Sequence, residues 1–274
     1  MKFVFDPICL EYNIKRHPES PDRIKLIVGA LQENHTILRP SPVTEEDVEK
    51  AHTKDHWKKI RGGDFFDADT PVIDIKFPLI SAGCAIKAAK VLGFSVSRPP
   101  GHHAGKDFLG GFCYFNNIAI ALRKVLPKYK TAAILDIDVH HGNGTQNIFL
   151  GDKDVLYCSI HQSPLFPGTG LKPEQNCINF PLPHGTGEEV YLKYLEKCLE
   201  EIRKFEPTIL AISVGFDTYE KDPLGGFKLN KESYRKIGEK IRGLGLPAFF
   251  VLEGGYSEDI GMLAKNLVEG FETR

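Results

Sequence analysis

The stretch LDIDVHHGNGTQ, Leu135 to Gln146, places two aspartates and two histidines within six residues, directly behind the apolar run TAAIL. If Thr131–Val139 is extended, side chains alternate with a period of two, so Asp136, Asp138 and His140 share one face. Three polar groups on one face of a core strand cost free energy unless a cation or a hydrogen-bond network compensates them. The stretch therefore predicts a buried strand and, at its C-terminal end, a polar site.

Outward from it the same pattern repeats. KFVF, GFSVS, TAAILDI, VLYCSI, TILAISVG and LPAFFVLEG read as strands. Between them LISAGCAIKAAKVL, FNNIAIALRKVL, GEEVYLKYLEKCLEEIRKF and KESYRKIGEKIRGLG repeat near 3.6 residues, as amphipathic helices do. In the third of these, Val190, Leu192, Leu195, Leu199 and Ile202 form an apolar stripe with charge opposite. Near-continuous apolar strands alternating with helices predict an α/β fold: a central, mainly parallel sheet with helices on both faces, in one domain spanning residues 1–274. Five strands end in unusual polar residues: RPPGHHAG after GFSVS, DIDVHHGNG after TAAIL, His161 after VLYCSI, Asp217 after TILAISVGF, and EGGY after LPAFFVL. In open parallel sheets ligands bind at that edge.

Composition narrows the function class. The 274 residues are 42% hydrophobic and 26% charged, with a net charge of −1, a balance that favours neither a nucleic-acid nor a membrane surface as partner. No apolar run approaches the roughly 20 residues of a membrane span. MKFVFDPICL is interrupted too early by Asp6 and Pro7 to read as a signal peptide. The six scattered cysteines, with no CxxC pair, suit reduced thiols and a cytoplasmic protein.

Asp138, His140 and Asp217 are the candidate metal ligands. Two carboxylates and an imidazole offset a divalent charge and leave a coordination position open, as catalytic zinc sites require. His102 and His103 lie in a Gly/Pro-rich loop, where both can line a pocket and serve acid–base chemistry near neutral pH. Asp136 is placed to orient one of them and Asn143 the other, the latter without charge. Tyr256, behind two glycines, offers a phenol to a developing oxyanion.

RPPGHHA, GFCYFNNIAIA, LDIDVHHGNGTQ, SVGFDTYEKDPLGG and LEGGY closely resemble the zinc-dependent histone deacetylase family in its class II-like branch, and the likeness runs from HPESPDRI to LEGGY. The resemblance implies the arginase/deacetylase fold and one zinc ion per chain on Asp138, His140 and Asp217. It makes His103 the general base and acid, His102 with Asp136 an electrostatic helper, and Tyr256 the group that polarises the substrate carbonyl. Gly111, Phe112 and Phe166 resemble the walls of an acyl-lysine channel, and Arg23 the arginine of an internal cavity. Ser159, Ile160 and the backbone around Asp136, Asp138 and His140 resemble a monovalent-cation site, usually potassium. The implied reaction is hydrolysis of an acetylated amine to acetate and free amine. Acetyl-lysine is the first expectation and an acetylpolyamine or other small acetylated amine the alternative. Leu224 stands where polyamine-selective relatives place an acidic gatekeeper, which counts against the alternative. The loop GGDFFDADTPVID shows no clear counterpart of the family's rim aspartate. The oligomeric state is not readable.

Two rivals remain. A binuclear manganese ureohydrolase shares the implied fold but needs more carboxylates; Gly142 follows Asp138 by four residues, and Gly215 and Tyr219 flank Asp217 at two residues on either side. A non-catalytic acyl-ligand binder would have lost a metal ligand or Tyr256, and all are present.

Overall fold

In a computed structural model that describes residues 1–273, the strand opening the LDIDVHH stretch runs only from Ala132 to Asp136. Asp138 and His140 lie beyond its end, so the expected extended run to Val139 is corrected. Side-chain carboxylates end the ladder: the Asp138 amide donates to Asp136 Oδ1 at 3.2 Å and the His140 amide to Asp138 Oδ1 at 2.9 Å. Aspartates that capture nearby backbone amides compete with strand pairing.

Eight strands, β1 (Lys2–Val4), β2 (Thr36–Leu38), β3 (Phe94–Ser95), β4 (Ala132–Asp136), β5 (Val155–Gln162), β6 (Cys177–Leu182), β7 (Ile209–Val214) and β8 (Ala248–Leu252), form one sheet. Its order is β2-β1-β3-β8-β7-β4-β5-β6, with every neighbouring pair parallel. The two strands that the sequence pattern does not announce, β2 and β6, are the two edges. An edge strand carries less apolar signal: Thr36 and Ile37 are exposed, and Pro181 sits in β6, where an edge tolerates a missing N–H.

The period of two divides the core. On β4, Ala133 and Leu135 enter one cluster while Ala132 and Ile134 enter the other; on β7, Leu210, Ile212 and Val214 face the first and Ile209 and Ala211 the second. Helices Pro21–Leu31, Glu188–Phe205, Lys231–Arg242 and Ile260–Glu272 cover the first face through Ile24, Leu199, Ile237 and Leu263. Helices Lys54–Gly62, Lys76–Val91, Asn117–Tyr129 and Asn143–Phe149 cover the second through Trp57, Ile86, Leu122 and Ile148. The stripe on Glu188–Phe205 differs by one position from expectation: Val190 is 44% exposed, and Tyr191, fully buried against Phe227, takes the inward place. Tyr191, Leu195, Cys198 and Ile202 keep the 3.6-residue period that Val190 breaks. All six cysteines are buried and unpaired, and among the described residues no helix is long and apolar enough to cross a membrane.

Burial on both sheet faces sets the energetic scale. Ile212→Ala, in the middle of β7, should destabilise the chain by about 2–5 kcal/mol, while Val190→Ala should stay within about 0.5 kcal/mol of the parent. Urea unfolding of the two variants beside the parent chain checks this, and equal midpoints for both would contradict the packing described.

Candidate active site

The strands that deliver polar ends are neighbours. β3, β8, β7, β4 and β5 follow one another in the sheet, and because all run parallel their C-terminal ends share one edge. There they surround a pocket of about 310 Å³ lined by His102, His103, Gly111, Phe112, Asp138, His140, Phe166, Leu224 and Tyr256.

Asp138, His140 and Asp217 each offer one ligand atom, and these atoms all lie within 4.8 Å of one another. His140 Nδ1 stands 3.0 Å from Asp138 Oδ1 and 3.1 Å from Asp217 Oδ2. Backbone amides aim the carboxylates: Gly254 N donates to Asp138 Oδ2 at 2.8 Å and Val139 N to Asp217 Oδ1 at 2.9 Å. Both aspartates are fully buried. Burial and the Asp138 charge push the Asp217 carboxyl up to about 7. Burial opposes ionisation of Asp138 too, but His102 and His140 together bring its carboxyl well below the usual range. Burial lowers the His140 imidazole, yet its bonds to the two carboxylates raise it to about 10. Such an excess of negative charge around one imidazole is what a divalent cation neutralises, and an N/O donor set of three with an open side suits zinc.

Gly142 and Gly215 leave no space for further carboxylates at their own positions. A Cβ at Gly142 would meet Asp136 Oδ2 at 2.2 Å, and one at Gly215 would meet Asp138 Oδ2 at 2.1 Å. No other cluster of three such donors occurs among the described residues.

The adjacent histidines face opposite electrostatic surroundings. Asp136 Oδ2 accepts from His102 Nδ1 at 3.1 Å. Burial lowers the His102 imidazole, but Asp138 and Asp136 outweigh it and hold it up at about 10. His103 donates from Nδ1 to Asn143 Oδ1 at 2.8 Å, which leaves the lone pair of the neutral ring on Nε2. Burial first, then the positive charge of His102 and His140, push the His103 pKa well below its usual value.

Tyr256 lies over the Arg23 guanidinium, 4.7 Å from ring centroid to Cζ, and its backbone N–H donates to Asp222 Oδ2 at 2.6 Å. Arg23 does not line the pocket. It sits behind Tyr256, donating to the carbonyls of Gly255 at 2.5 Å and Glu253 at 2.6 Å and to Glu19 at 3.0 Å. Ser159 is the register partner of Asp136 across β4 and β5, next to Ile160, and its hydroxyl meets His161 Nδ1 at 2.9 Å.

The walls are close-fitting. A Cβ at Gly111 would lie 2.5 Å from His103 and 2.9 Å from Phe166, so only glycine leaves the passage open there, and its φ of +55° also favours glycine. Phe112 adopts φ +70° and is held by its N–H to Thr70 Oγ1 at 3.0 Å. Leu224 contributes an apolar wall.

Asp69 and His17 are among the pocket residues that local sequence does not mark. Asp69, exposed at the mouth, belongs to the loop in which no rim aspartate was recognisable. His17, the first residue of HPESPDRI, accepts from Glu19 N and donates from Nε2 to the Asp69 carbonyl at 3.1 Å. Neither carries a local signal, because the two lie 52 positions apart in sequence and only the fold brings them together.

A family model described as the histone deacetylase domain matches residues 17–270. Acetylpolyamine amidohydrolase 1 of Pseudomonas aeruginosa is 41% identical over an alignment covering 76% of this chain and 66% of its own, so this chain spans about two thirds of that relative's length. Among solved structures, the HDA15 HD domain superposes with a TM-score of 0.91 at 30% identity, covering 100% of this chain and 91% of that one. An acetylpolyamine aminohydrolase from Burkholderia pseudomallei gives a TM-score of 0.89 at 26% identity, covering 99% and 98%. With the domain match spanning nearly all of its residues and the sheet order and site built as described, the chain belongs to the histone deacetylase family.

Proposed function

We propose that this protein is a zinc-dependent amidohydrolase that removes the acetyl group from small acetylated amines of the polyamine class. The observation that carries the reaction type is the meeting, in one narrow pocket, of a neutral histidine, a phenol and a three-donor metal site. Asp138, His140 and Asp217 would hold a zinc ion, which would supply Lewis-acid polarisation of the substrate carbonyl and lower the pKa of water.

The side chains do the rest. His103, neutral and with its Nε2 lone pair free, takes a proton from the attacking water and returns it to the leaving amine. His102, charged between Asp136 and Asp138, keeps His103 from binding its proton too tightly. Tyr256 donates its phenolic hydrogen to the oxyanion that develops on the substrate. Asn143 fixes the His103 ring, and Gly111, Phe112 and Phe166 guide the acyl chain. Water and amide give acetate and free amine. Arg23 supports Tyr256 from behind, and a potassium ion on the backbone around Asp136, Asp138, His140, Ser159 and Ile160 belongs to the same proposal.

For the substrate, the relatives named as acetylpolyamine amidohydrolases support the small acetylated amine over acetyl-lysine. Leu224 removes the expected acidic gatekeeper, but Asp69 supplies a carboxylate at the mouth where a second, cationic amine of the substrate would lie.

Monoacetylated polyamines should be hydrolysed with a kcat/KM at least about ten-fold above that of an acetyl-lysine peptide, the discrimination one pocket contact can supply. The reverse order would overturn the substrate class and leave the amidohydrolase; turnover of neither would overturn both.

Metal analysis should find one zinc ion per chain, and Asp217→Asn should lose it along with activity. Two tightly bound ions per chain would contradict the mononuclear site.

Tyr256→Phe should retain zinc and bind the acetylated amine while losing about 10²–10³ in kcat, the usual cost of one oxyanion donor. Paired turnover and affinity measurements decide it, and an unchanged kcat would remove Tyr256 from the mechanism.

A further inference from the structure

Glu253, the second residue of LEGGY, is fully buried and does not line the pocket. Among the described residues no ion pair holds its carboxylate. Its partners are instead two backbone amides and a hydroxyl: Oε2 accepts from Gly101 N at 2.7 Å and His102 N at 3.1 Å, and Oε1 from Ser213 Oγ at 2.9 Å. A buried carboxylate is costly unless such donors compensate it. These donors come from two other strands: Ser213 lies on β7, and Gly101 and His102 lie in the turn that follows β3.

The turn has little freedom elsewhere. Gly101 is wedged against the chain at Phe115 and Asn117, where a Cβ would lie 2.5 Å from Asn117 N. The His102 carbonyl accepts from Thr145 N at 3.0 Å, and the Gly101 carbonyl from Ala104 N at 3.0 Å. The backbone of His102, next to His103, is thus gripped at its carbonyl by Thr145 and at its amide by Glu253. Meanwhile the Glu253 backbone is tied to β7 through its N–H to Val214 O at 2.8 Å, and the next residue, Gly254, donates to the metal-ligand Asp138. One side chain therefore links the end of β8, which carries Tyr256 and a bond to Asp138, to the turn that carries both histidines.

We infer that Glu253 is the positioning residue of the histidine turn: by holding the Gly101 and His102 amides it sets where His103 stands relative to Asp138 and Tyr256. This rests on the reading of His103 as the acid–base group. What matters is the reach of the acceptor oxygen, and two near-native variants separate reach from charge. Glu253→Asp keeps the charge but withdraws the carboxylate by about 1.5 Å, one methylene. Glu253→Gln keeps an acceptor oxygen at full reach without the charge.

The test measures kcat and KM for a monoacetylated polyamine with the zinc-loaded full chain. Glu253→Asp should lower kcat by about 10- to 100-fold, as a displacement of roughly 1 Å does, with KM within about two-fold. Glu253→Gln should recover most of that loss. In a His103→Ala background the Asp variant should cost no more than about a further two-fold, because a misplaced base that is already absent loses nothing. Wild-type kcat in the Asp variant, equal loss in both variants, or an undiminished loss in the His103→Ala background would each overturn the inference. Side-chain NMR signals of the histidines give a readout that needs no turnover: in Glu253→Asp those of His102 and His103 should move while that of His161 stays. Unmoved His102 and His103 signals overturn the positioning role even if no acetylated amine is hydrolysed, and moved ones uphold it while the proposed reaction falls.

Discussion

Four carboxylates, Asp136, Asp138, Asp217 and Glu253, are fully buried at one edge of the sheet, and much of the local architecture exists to compensate them. An isolated buried carboxylate is among the costliest groups a protein can hold. Each one here collects donors. Asp136 accepts from His102, from the Tyr157 hydroxyl at 3.0 Å and from the Asp138 amide; Asp138 and Asp217 accept from the amides of Gly254, His140 and Val139; Glu253 accepts from Gly101, His102 and Ser213. The loops after β3, β4, β7 and β8 are thereby tied to one another by backbone amides, so that moving any one loop strands a charge in another. A rigid site is the consequence, and its rigidity comes from the same charges that serve the chemistry.

The second consequence is electrostatic asymmetry. His102 and His103 are sequence neighbours whose rings lie 4.0 Å apart, yet one faces two carboxylates and the other faces a neutral amide. Their affinities for a proton are driven in opposite directions, and groups whose environments push them apart in this way are suited to separate acid–base roles. Asn143 matters here for what it lacks: a carboxylate in its place would raise His103 and reduce the contrast.

Beneath Tyr256 a second buried network provides support. Arg98, fully buried, grips Glu19 through two nitrogens at 2.8 Å and donates to the carbonyls of Cys9 and Tyr12; Glu19 in turn binds Arg23, over which Tyr256 rests. Paired guanidinium and carboxylate groups keep this charge satisfied away from water. The phenol thus has a cation behind it and the pocket in front, and the segment HPESPDRI, which carries Glu19 and Arg23, is joined to RPPGHHAG through Arg98.

Much of the site was written locally. Asp138 and His140 are two residues apart, His102 and His103 are adjacent, and Tyr256 follows its glycines, so covalent spacing alone put these groups within reach of their neighbours at the ends of apolar runs. The near-continuous apolar character of TAAIL and TILAISV likewise called for burial on both sheet faces, whatever lay beside them. What spacing could not determine was which strand ends would be neighbours: β8 lies between β3 and β7 although 152 residues separate Glu253 from Gly101, and that adjacency is decided by long-range pairing of parallel strands. For the same reason Asp69 and His17 reached the mouth unannounced, and β4 stopped at Asp136 because carboxylates captured the amides that an isolated strand pattern assigns to a ladder. The sequence determined which chemical groups stand at the ends of buried strands; only the tertiary structure decided which of those ends face one another, because a parallel sheet brings its strands together without regard to their order along the chain.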